Sequence, residues 1–250
     1  MKNQYVGDIG DYTKLGLLRV IENAGFSIGV NWYLTPPDAG NDGKKDGYLS
    51  KTCDTPDIEL FNALQGIRKI RSVEAIETSS LLTNARFFRD ELNGVHRKFW
   101  HEKALTHLYR QDVVFLDPDN GFEVGGVNPN FSHGNKHVTY DEAADYFCKN
   151  NASVIVYQHW WIPPEKSKNY DSYINNLQRI KEHLPEYEKA KARLFCVKAS
   201  QRDYFFILQH SHYEKITEAI TDMLSTGWSK HLAFRKEIDD NFLLDKGGTT

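Results

Sequence analysis

The sequence predicts an α/β fold, an open, doubly wound and mostly parallel sheet that closes with a C-terminal antiparallel hairpin. Two continuous apolar runs, at 112–117 and 153–158, are typical of strands that are buried on both faces. Helical patterns alternate with such runs along the chain, as they do in βαβ units. Two apolar runs on either side of a short polar turn, 193–199 and 203–209, predict the hairpin. We expect one domain over residues 1–250.

The composition narrows the class of protein. Hydrophobic residues make up 40% and charged residues 26%, which is ordinary for a globular protein, and a formal net charge of -3 gives no overall basic field. Cys53, Cys148 and Cys196 lack the spacing of a disulfide framework or a cysteine zinc site. The chain shows neither the apolar core of a signal peptide nor an apolar run of the roughly 20 residues that cross a bilayer. We expect a cytoplasmic protein without a membrane segment.

The first predicted elements are an amphipathic helix and a buried strand. Apolar residues recur at helical spacing over 11–24, with Asp8 or Asp11 available as the N-cap and Gly25 as the end of the helix. The run 27–34 then predicts a buried strand. A long polar loop of turn formers follows, and loops of this kind are more often functional than idle.

Apolar periodicity predicts further helices at 57–70, 98–109, 140–150, 170–184 and 213–226. Residues 73–82, between the first two of these helices, are interpreted as a short strand followed by a turn. That interpretation places Glu77 at the carboxyl end of a strand.

Ligands of open α/β sheets bind outside the carboxyl ends of the strands, and polar residues follow the strand predicted at 112–117. Asp117, Asp119 and Asn120 lie directly beyond it, where a proline stops the ladder and Gly121 allows a tight turn. The same residue types are also common in turns that have no function. Its position at the end of a central strand favours a function.

Two further segments are expected at the same crevice. His159 follows the second buried run and is suited to be a general base, a metal ligand or a stacking group, although most single histidines are structural. Lys14 belongs to the segment around the start of the first helix, which also holds Asp8 and Asp11. An N-cap needs only one carboxylate, so capping does not explain the second aspartate. The residues expected to converge in one pocket are Asp8, Asp11, Asp117, Asp119 and His159.

These segments resemble a branch of the class I S-adenosylmethionine-dependent methyltransferases, namely the adenine methyltransferases of large-subunit ribosomal RNA of the RlmJ type and the related three-Cys-motif partner proteins. Those families open with G-N-x-x-D-x-x-K-H before the first helix, and residues 7–15 here read G-D-I-G-D-Y-T-K-L. Their catalytic signature is D-P-P-Y, and residues 117–120 here read D-P-D-N. The resemblance covers the order of elements over most of the chain and implies a Rossmann-like methyltransferase fold.

The resemblance implies S-adenosylmethionine as the cofactor and a nucleic acid or nucleotide amine as the acceptor. The family's signature aspartate accepts a hydrogen bond from the target amine and its aromatic residue stacks on the base, so Asp117 keeps the first role and Asn120 lacks the ring. The implied catalytic residues are Asp117, Asp119, Asn120, His159, Asp11 and Lys14. The implied cofactor-binding residues are Asp38, Gly40, Asn41, Gly43 and Glu77, with Glu77 holding the ribose.

Two other functions stay open at the level of sequence. Carboxylate oxygens are preferred ligands of Mg²⁺ and Mn²⁺, so the alternative is a metal-dependent hydrolase of phosphodiesters or nucleotides. Its metal ligands would be Asp8, Asp11, Asp117, Asp119 and His159. The second alternative is a non-catalytic nucleotide-binding module that has kept the fold.

Overall fold

The computed structural model describes residues 1–37, 55–93, 96–131, 133–160 and 172–235. The strands are β1 (Ile28–Asn31), β2 (Ala85–Phe88), β3 (Val113–Leu116), β4 (Gly121–Phe122), β5 (His137–Val138), β6 (Ser153–His159), β7 (Arg193–Lys198), β8 (Arg202–Leu208) and β9 (Ala233–Phe234). The helices are α1 (Ile9–Asn23), α2 (Ile58–Ile70), α3 (Val73–Glu77), α4 (Arg97–His107), α5 (Tyr140–Lys149), α6 (Ser172–His183), α7 (Glu186–Lys189) and α8 (His210–Leu224). None of the described helices is long and apolar enough to cross a membrane.

Seven strands form one sheet in the order β2-β1-β3-β6-β8-β7-β9, and β4 pairs with β5 in a small separate sheet. The first four strands are parallel, and the predicted adjacent strands are confirmed because Val113 pairs with Ser153 and Leu116 with Val156. β8 runs antiparallel to both β6 and β7. The expected position of the last strand pair at the edge is wrong, because β9 adds a further antiparallel strand beside β7.

Helices cover both faces of this sheet, which explains why all four residues of β3 are apolar and buried. Alternate residues of a strand point to opposite faces. Val113 and Phe115 of β3 therefore pack into a core with α1, α2, α3 and α8, whereas Val114 and Leu116 pack into a second core with α4, α5 and α6. The result is the three-layered α/β arrangement that the sequence predicts.

The interpretation of residues 73–82 as a strand is wrong. Val73 and Ile76 are both buried at a helical spacing of three residues in α3, and the Ser72 side chain caps this helix by accepting from the backbone N–H of Glu74. So short an apolar run cannot distinguish a helix from a strand by its period. A strand that follows this helix, β2, is the one that pairs with β1 on this side of the sheet, and an exposed arginine, Arg86, masks its apolar pattern.

Candidate active site

The strand order reverses at β1, because the chain passes from β1 to β2 on one side and later adds β3 on the other. A reversal of this kind opens a crevice at the carboxyl ends of the two central strands, where ligands of doubly wound sheets bind. Trp32 and Tyr33 leave β1 at this point, and Asp117 leaves β3. The backbone N–H of Asp117 donates to the Asn31 carbonyl at 2.9 Å, which ties the two strand ends together.

Lys14 is the centre of a buried cluster at this crevice, here called the Lys14 cluster and consisting of Asp11, Lys14 and Asp117. Lys14 Nζ lies 2.9 Å from Asp11 Oδ1 and 2.5 Å from Asp117 Oδ2. The three residues are at most 3% exposed. The rings of Trp32 and Tyr157 have their centroids 5.8 and 5.5 Å from the ammonium group. Two carboxylates and two aromatic rings therefore enclose one cation.

Burial shifts the ionisation of this cluster. Burial, with a smaller contribution from Asp11, raises the pKa of Asp117 above its ordinary value, although the ammonium groups of Lys14 and Met1 act in the opposite direction. For Lys14 the balance is the reverse, since burial lowers the pKa but Asp11 and Asp117 raise it above its ordinary value. Lys14 thus stays charged, and Asp117 holds a proton more readily than an exposed aspartate does. Shifted carboxyl groups in a crevice are typical of functional sites.

The two aspartates at the N-terminal end of α1 have separate roles. Asp8 is the N-cap, because its side chain accepts from the backbone N–H groups of Gly10 and Asp11 at 2.6 and 3.2 Å. Asp11 instead accepts from the backbone N–H of Gly7 at 2.6 Å and pairs with Lys14. Burial and the neighbouring Asp11 raise the pKa of Asp8. The carboxylate left over by the cap is therefore Asp11.

Asp119 lies beside the crevice without joining the Lys14 cluster directly. Its carboxylate is 2.9 Å from the amino group of Met1, 3.6 Å from Lys2 Nζ, and accepts from Thr35 Oγ1 at 3.2 Å. Burial would raise its pKa, but the amino group of Met1 and then Lys2 outweigh this and lower it. Asp119 is thus an ionised anchor for the chain around Met1 and Thr35 rather than a base.

Gln158, near the end of β6, fixes the turn that carries Asp117. Its Nε2 donates to the Asn120 carbonyl at 2.8 Å, and its Oε1 accepts from the Phe122 N–H at 3.0 Å. Gly121 between them has a φ of +110°, and a Cβ there would lie 2.3 Å from Gln158 Oε1. Only glycine suits both the backbone and the space. The backbone N–H of His159 also donates to the Asn120 carbonyl, at 3.1 Å.

The Asn120 side chain meets a histidine, not an open crevice. Its Nδ2 lies 3.1 Å from His137 Nε2, and His137 Nδ1 lies 2.9 Å from the Phe122 carbonyl. The carbonyl can only accept, so Nδ1 carries the hydrogen and Nε2 accepts from the asparagine amide. His137 is therefore neutral, and Asn120 serves to position the turn.

Glu77 reaches the crevice from α3 and not from a strand end. Its Oε1 accepts from Trp32 Nε1 at 2.8 Å, and its Oε2 from Arg89 Nη1 at 3.1 Å. It also lines a groove of about 880 Å³ beside β2, together with Phe87, Arg89 and Asp90. Carboxylate acceptors and an aromatic wall suit a nucleoside, and the groove is large enough for one. The other expected cofactor residues, Asp38, Gly40, Asn41 and Gly43, lie outside the described residues.

The proposed metal ligands are not arranged as a metal site. The Lys14 ammonium group contacts both Asp11 and Asp117, so the place of a cation between these carboxylates is taken. In the described part of the chain, no group of three or more histidine, cysteine, aspartate or glutamate side chains is placed to hold a metal ion. Asp8 acts as a helix cap and Asp119 pairs with amino groups, so these two carboxylates already have other partners, and His159 lies at the end of β6.

Arg97 forms a second buried ion pair near the crevice, and no sequence motif points to it. Its Nε and Nη2 donate to the two carboxylate oxygens of Glu142 at 2.6 and 2.7 Å. Its remaining N–H groups donate to the carbonyls of Pro129, Gly134 and His137, at 3.1, 3.2 and 2.7 Å. Glu142 also accepts from Tyr33 Oη at 3.1 Å, so this pair links α4 and α5 to the end of β1.

Comparison with known proteins adds no relative to this description. No protein-family model, curated protein or solved structure matches the chain. We therefore infer function from the contacts described above and from the resemblance of the sequence motifs.

Proposed function

We propose that the chain is an S-adenosylmethionine-dependent methyltransferase that acts on an amine, with Asp117 orienting the acceptor. The observation that carries this proposal is the contact of Lys14 with both Asp11 and Asp117. It joins the N-terminal part of α1 to the turn after β3, and these are the two segments on which the sequence resemblance depends.

The sheet supports the same proposal. The resemblance implies a doubly wound parallel sheet closed by an antiparallel pair, and here β2, β1, β3 and β6 are parallel while β8 and β7 are antiparallel to each other. The Lys14 cluster lies where the strand order reverses, which is the ligand-binding position of such sheets.

The protein's part in this reaction is binding and orientation. The cofactor, when bound, supplies a methyl group on a positively charged sulfur. Glu77 beside Trp32, with the groove along β2, would hold its nucleoside. Asp117 would accept a hydrogen bond from the acceptor amine, and its raised pKa suits it to share the amine's proton. Lys14 holds this carboxylate in place, and the aromatic neighbours of the cluster exclude water.

The test is Asp117→Asn, a nearly isosteric change that removes the charge and one acceptor oxygen. We expect methyl transfer from tritium-labelled S-adenosylmethionine to fall by about 100-fold or more, because orientation and proton acceptance are lost. Affinity for S-adenosylmethionine, measured by calorimetry, should stay within about 3-fold, because Asp117 orients only the acceptor.

The matched control is Asp112→Asn, at the other end of the same strand. Asp112 accepts from Ser27 N and Ser27 Oγ at 2.8 and 2.7 Å, away from the crevice. It should leave methyl transfer unchanged within about 2-fold. Failure of the wild-type chain to bind either S-adenosylmethionine or S-adenosylhomocysteine would refute the proposal, as would full methyl transfer by the Asp117 variant.

A further inference from the structure

Arg202 lies at the same edge of the sheet as Asp117 and on the same face. It begins β8, where it pairs with His159 at the carboxyl end of β6. Alternate residues of a strand share a face, so Arg202 lies on the side of Tyr204, which packs in the core with α1. Asp117 reaches this side too, because it contacts Lys14 of α1. Neighbouring strands are about 4.8 Å apart, and β6 separates β3 from β8, so Asp117 and Arg202 leave the sheet roughly 10 Å apart.

Tyr157 connects Arg202 to the Lys14 cluster. Arg202 Nε donates to Tyr157 Oη at 3.4 Å, and the centroid of the same ring is 5.5 Å from Lys14 Nζ. Arg202 also packs against the start of α1, since a Cβ at Gly10 would lie 3.3 Å from Arg202 Cζ. The missing side chain of Gly10 thus gives the guanidinium room beside the helix. Arg202 and the Lys14 cluster therefore belong to one crevice.

The guanidinium of Arg202 is buried without compensation. Arg202 is 4% exposed, and within the described residues its Nη1 and Nη2 groups have neither a hydrogen-bond acceptor nor an ion-pair partner. Asp8 is near enough for the two charges to interact, but its carboxylate caps α1. Arg97, which is buried to a similar degree, has an acceptor for all five N–H groups. An uncompensated buried charge is costly, which favours an anionic ligand as the missing acceptor.

The surroundings of Arg202 favour a carboxylate over a phosphate. Asp8 and Asp11 lie beside the same crevice and would repel a phosphate dianion more strongly than a carboxylate, which carries a single charge. Nucleic acid backbones are bound by basic patches on a protein surface, whereas Arg202 is buried. A carboxylate has two oxygens that match two N–H groups of a guanidinium. The site therefore suits one carboxylate of a small molecule.

We propose that Arg202 is a specificity-determining residue that binds a carboxylate of the acceptor. The acceptor is accordingly a small molecule with an amine for Asp117 and a carboxylate for Arg202, and Tyr157 lies between these two groups. This inference rests on the proposed methyltransferase function for the role of Asp117, but binding of the carboxylate itself does not need the cofactor. It differs from the nucleic acid acceptor that the sequence resemblance implies.

The test compares amino acids with amines that lack the carboxylate, without any cofactor. Glycine, β-alanine, γ-aminobutyrate and ε-aminocaproate are titrated by NMR against methylamine, ethylamine, propylamine and pentylamine at constant ionic strength. At least one amino acid should bind the wild-type chain about 10-fold more tightly than its matched amine, because hydrogen bonds between ionised groups are strong. Arg202→Gln should lose this preference. Arg202→Lys, which keeps the charge but not the planar fork, should keep part of it.

The matched control is Arg193→Gln, at the other end of the β7–β8 pair. Arg193 donates to the carbonyls of Ala190 and Ala192 at 3.0 and 3.2 Å, and its variant should keep the wild-type preference. Arg202→Gln should also be no less stable than wild type in urea denaturation, because it removes a buried charge that has no partner among the described residues. A clear loss of stability in this variant would show that Arg202 is structural and would overturn the inference.

Three binding results would also overturn it. The first is equal binding of amino acids and amines by the wild-type chain, and the second is tighter binding of inorganic phosphate than of any amino acid. The third is displacement of the amino acid by S-adenosylhomocysteine, whose own amino acid group would then occupy Arg202. Calorimetry with S-adenosylmethionine separates the two proposals, because a chain that prefers the amino acids but binds no cofactor refutes only the methyltransferase.

Discussion

Two buried cations serve the carboxyl edge of the sheet in different ways. Arg97 donates its five N–H groups to one carboxylate and three backbone carbonyls. Its network is called closed because every donor of the guanidinium has an acceptor. Lys14 faces two carboxylates, and burial leaves the pKa of one of them, Asp117, raised. A closed network holds backbone in place, whereas a cluster with a shifted carboxyl group retains chemistry. Burial of charge alone therefore does not identify a functional site.

The largest effect should come from Arg97→Met, which removes the closed network. Glu142 would stay buried without its charge partner, and the free energy of unfolding should fall by about 3–5 kcal/mol, measured by urea denaturation. Lys191→Met is the control, since Lys191 forms an exposed pair with Glu188 and its loss should change stability by less than about 0.5 kcal/mol. Equal stability of the Arg97 variant and wild type would show that the Arg97 network does not hold the fold in place.

An intermediate effect is expected at the turn between the two networks. Gly121→Ala would force a Cβ against the Gln158 carboxamide at a φ of +110°, and should lower the free energy of unfolding by about 1–3 kcal/mol. Gly66→Ala, within α2 and with open space around it, should instead raise it by up to about 1 kcal/mol. Thermal unfolding of both variants measures the contrast. A stabilised Gly121 variant would show that the turn is not fixed.

The smallest effect concerns pH. Burial lowers the pKa of His137 below its ordinary 6.5, with Arg97 adding to the shift. The unfolded chain then binds this proton first, so the free energy of unfolding falls as pH drops from about 7 through 6.5 and levels off below the folded-state pKa. His137→Gln should flatten this slope in urea denaturation between about pH 7 and pH 5. His212 and His231 have lowered pKa values from burial too, so part of the slope should remain. An unchanged slope would exclude His137 as a contributor.

The sequence predicts correctly the parts of the fold that have a continuous apolar run or a clear helical period. The strands at 113–116 and 153–159 and the helices at 9–23 and 58–70 are confirmed within a few residues. The helix at 73–77 was mistaken for a strand because its two buried residues fit either period in so short a run. β9 was missed because two residues carry no periodic signal at all.

The candidate site, too, contains some contacts that the sequence can predict and others that it cannot. The strand-end rule predicts where Asp117 lies, and the expected position of Asp8 and Asp11 at a helix N-terminus on the same rim brings that segment near it, although Lys14 and Asp117 lie 103 residues apart. The roles of Arg97 and Gln158 could not be predicted, because they bind backbone carbonyls whose positions depend on the conformation of a loop. Only Gly121 hinted at them, since a glycine in a turn signals that something packs closely.

The strand order also determines when the site can form during folding. β7 and β8 are joined by residues 199–201 alone, so their pairing needs only a short loop to close. β1 instead pairs with residues 85–88 and 113–116, which are far from it along the chain, so long loops must close before these pairs form. Long-range parallel pairing of this kind is slow. We therefore expect the Lys14 cluster, which joins α1 to the end of β3, to form later in refolding than the pairing of β7 with β8.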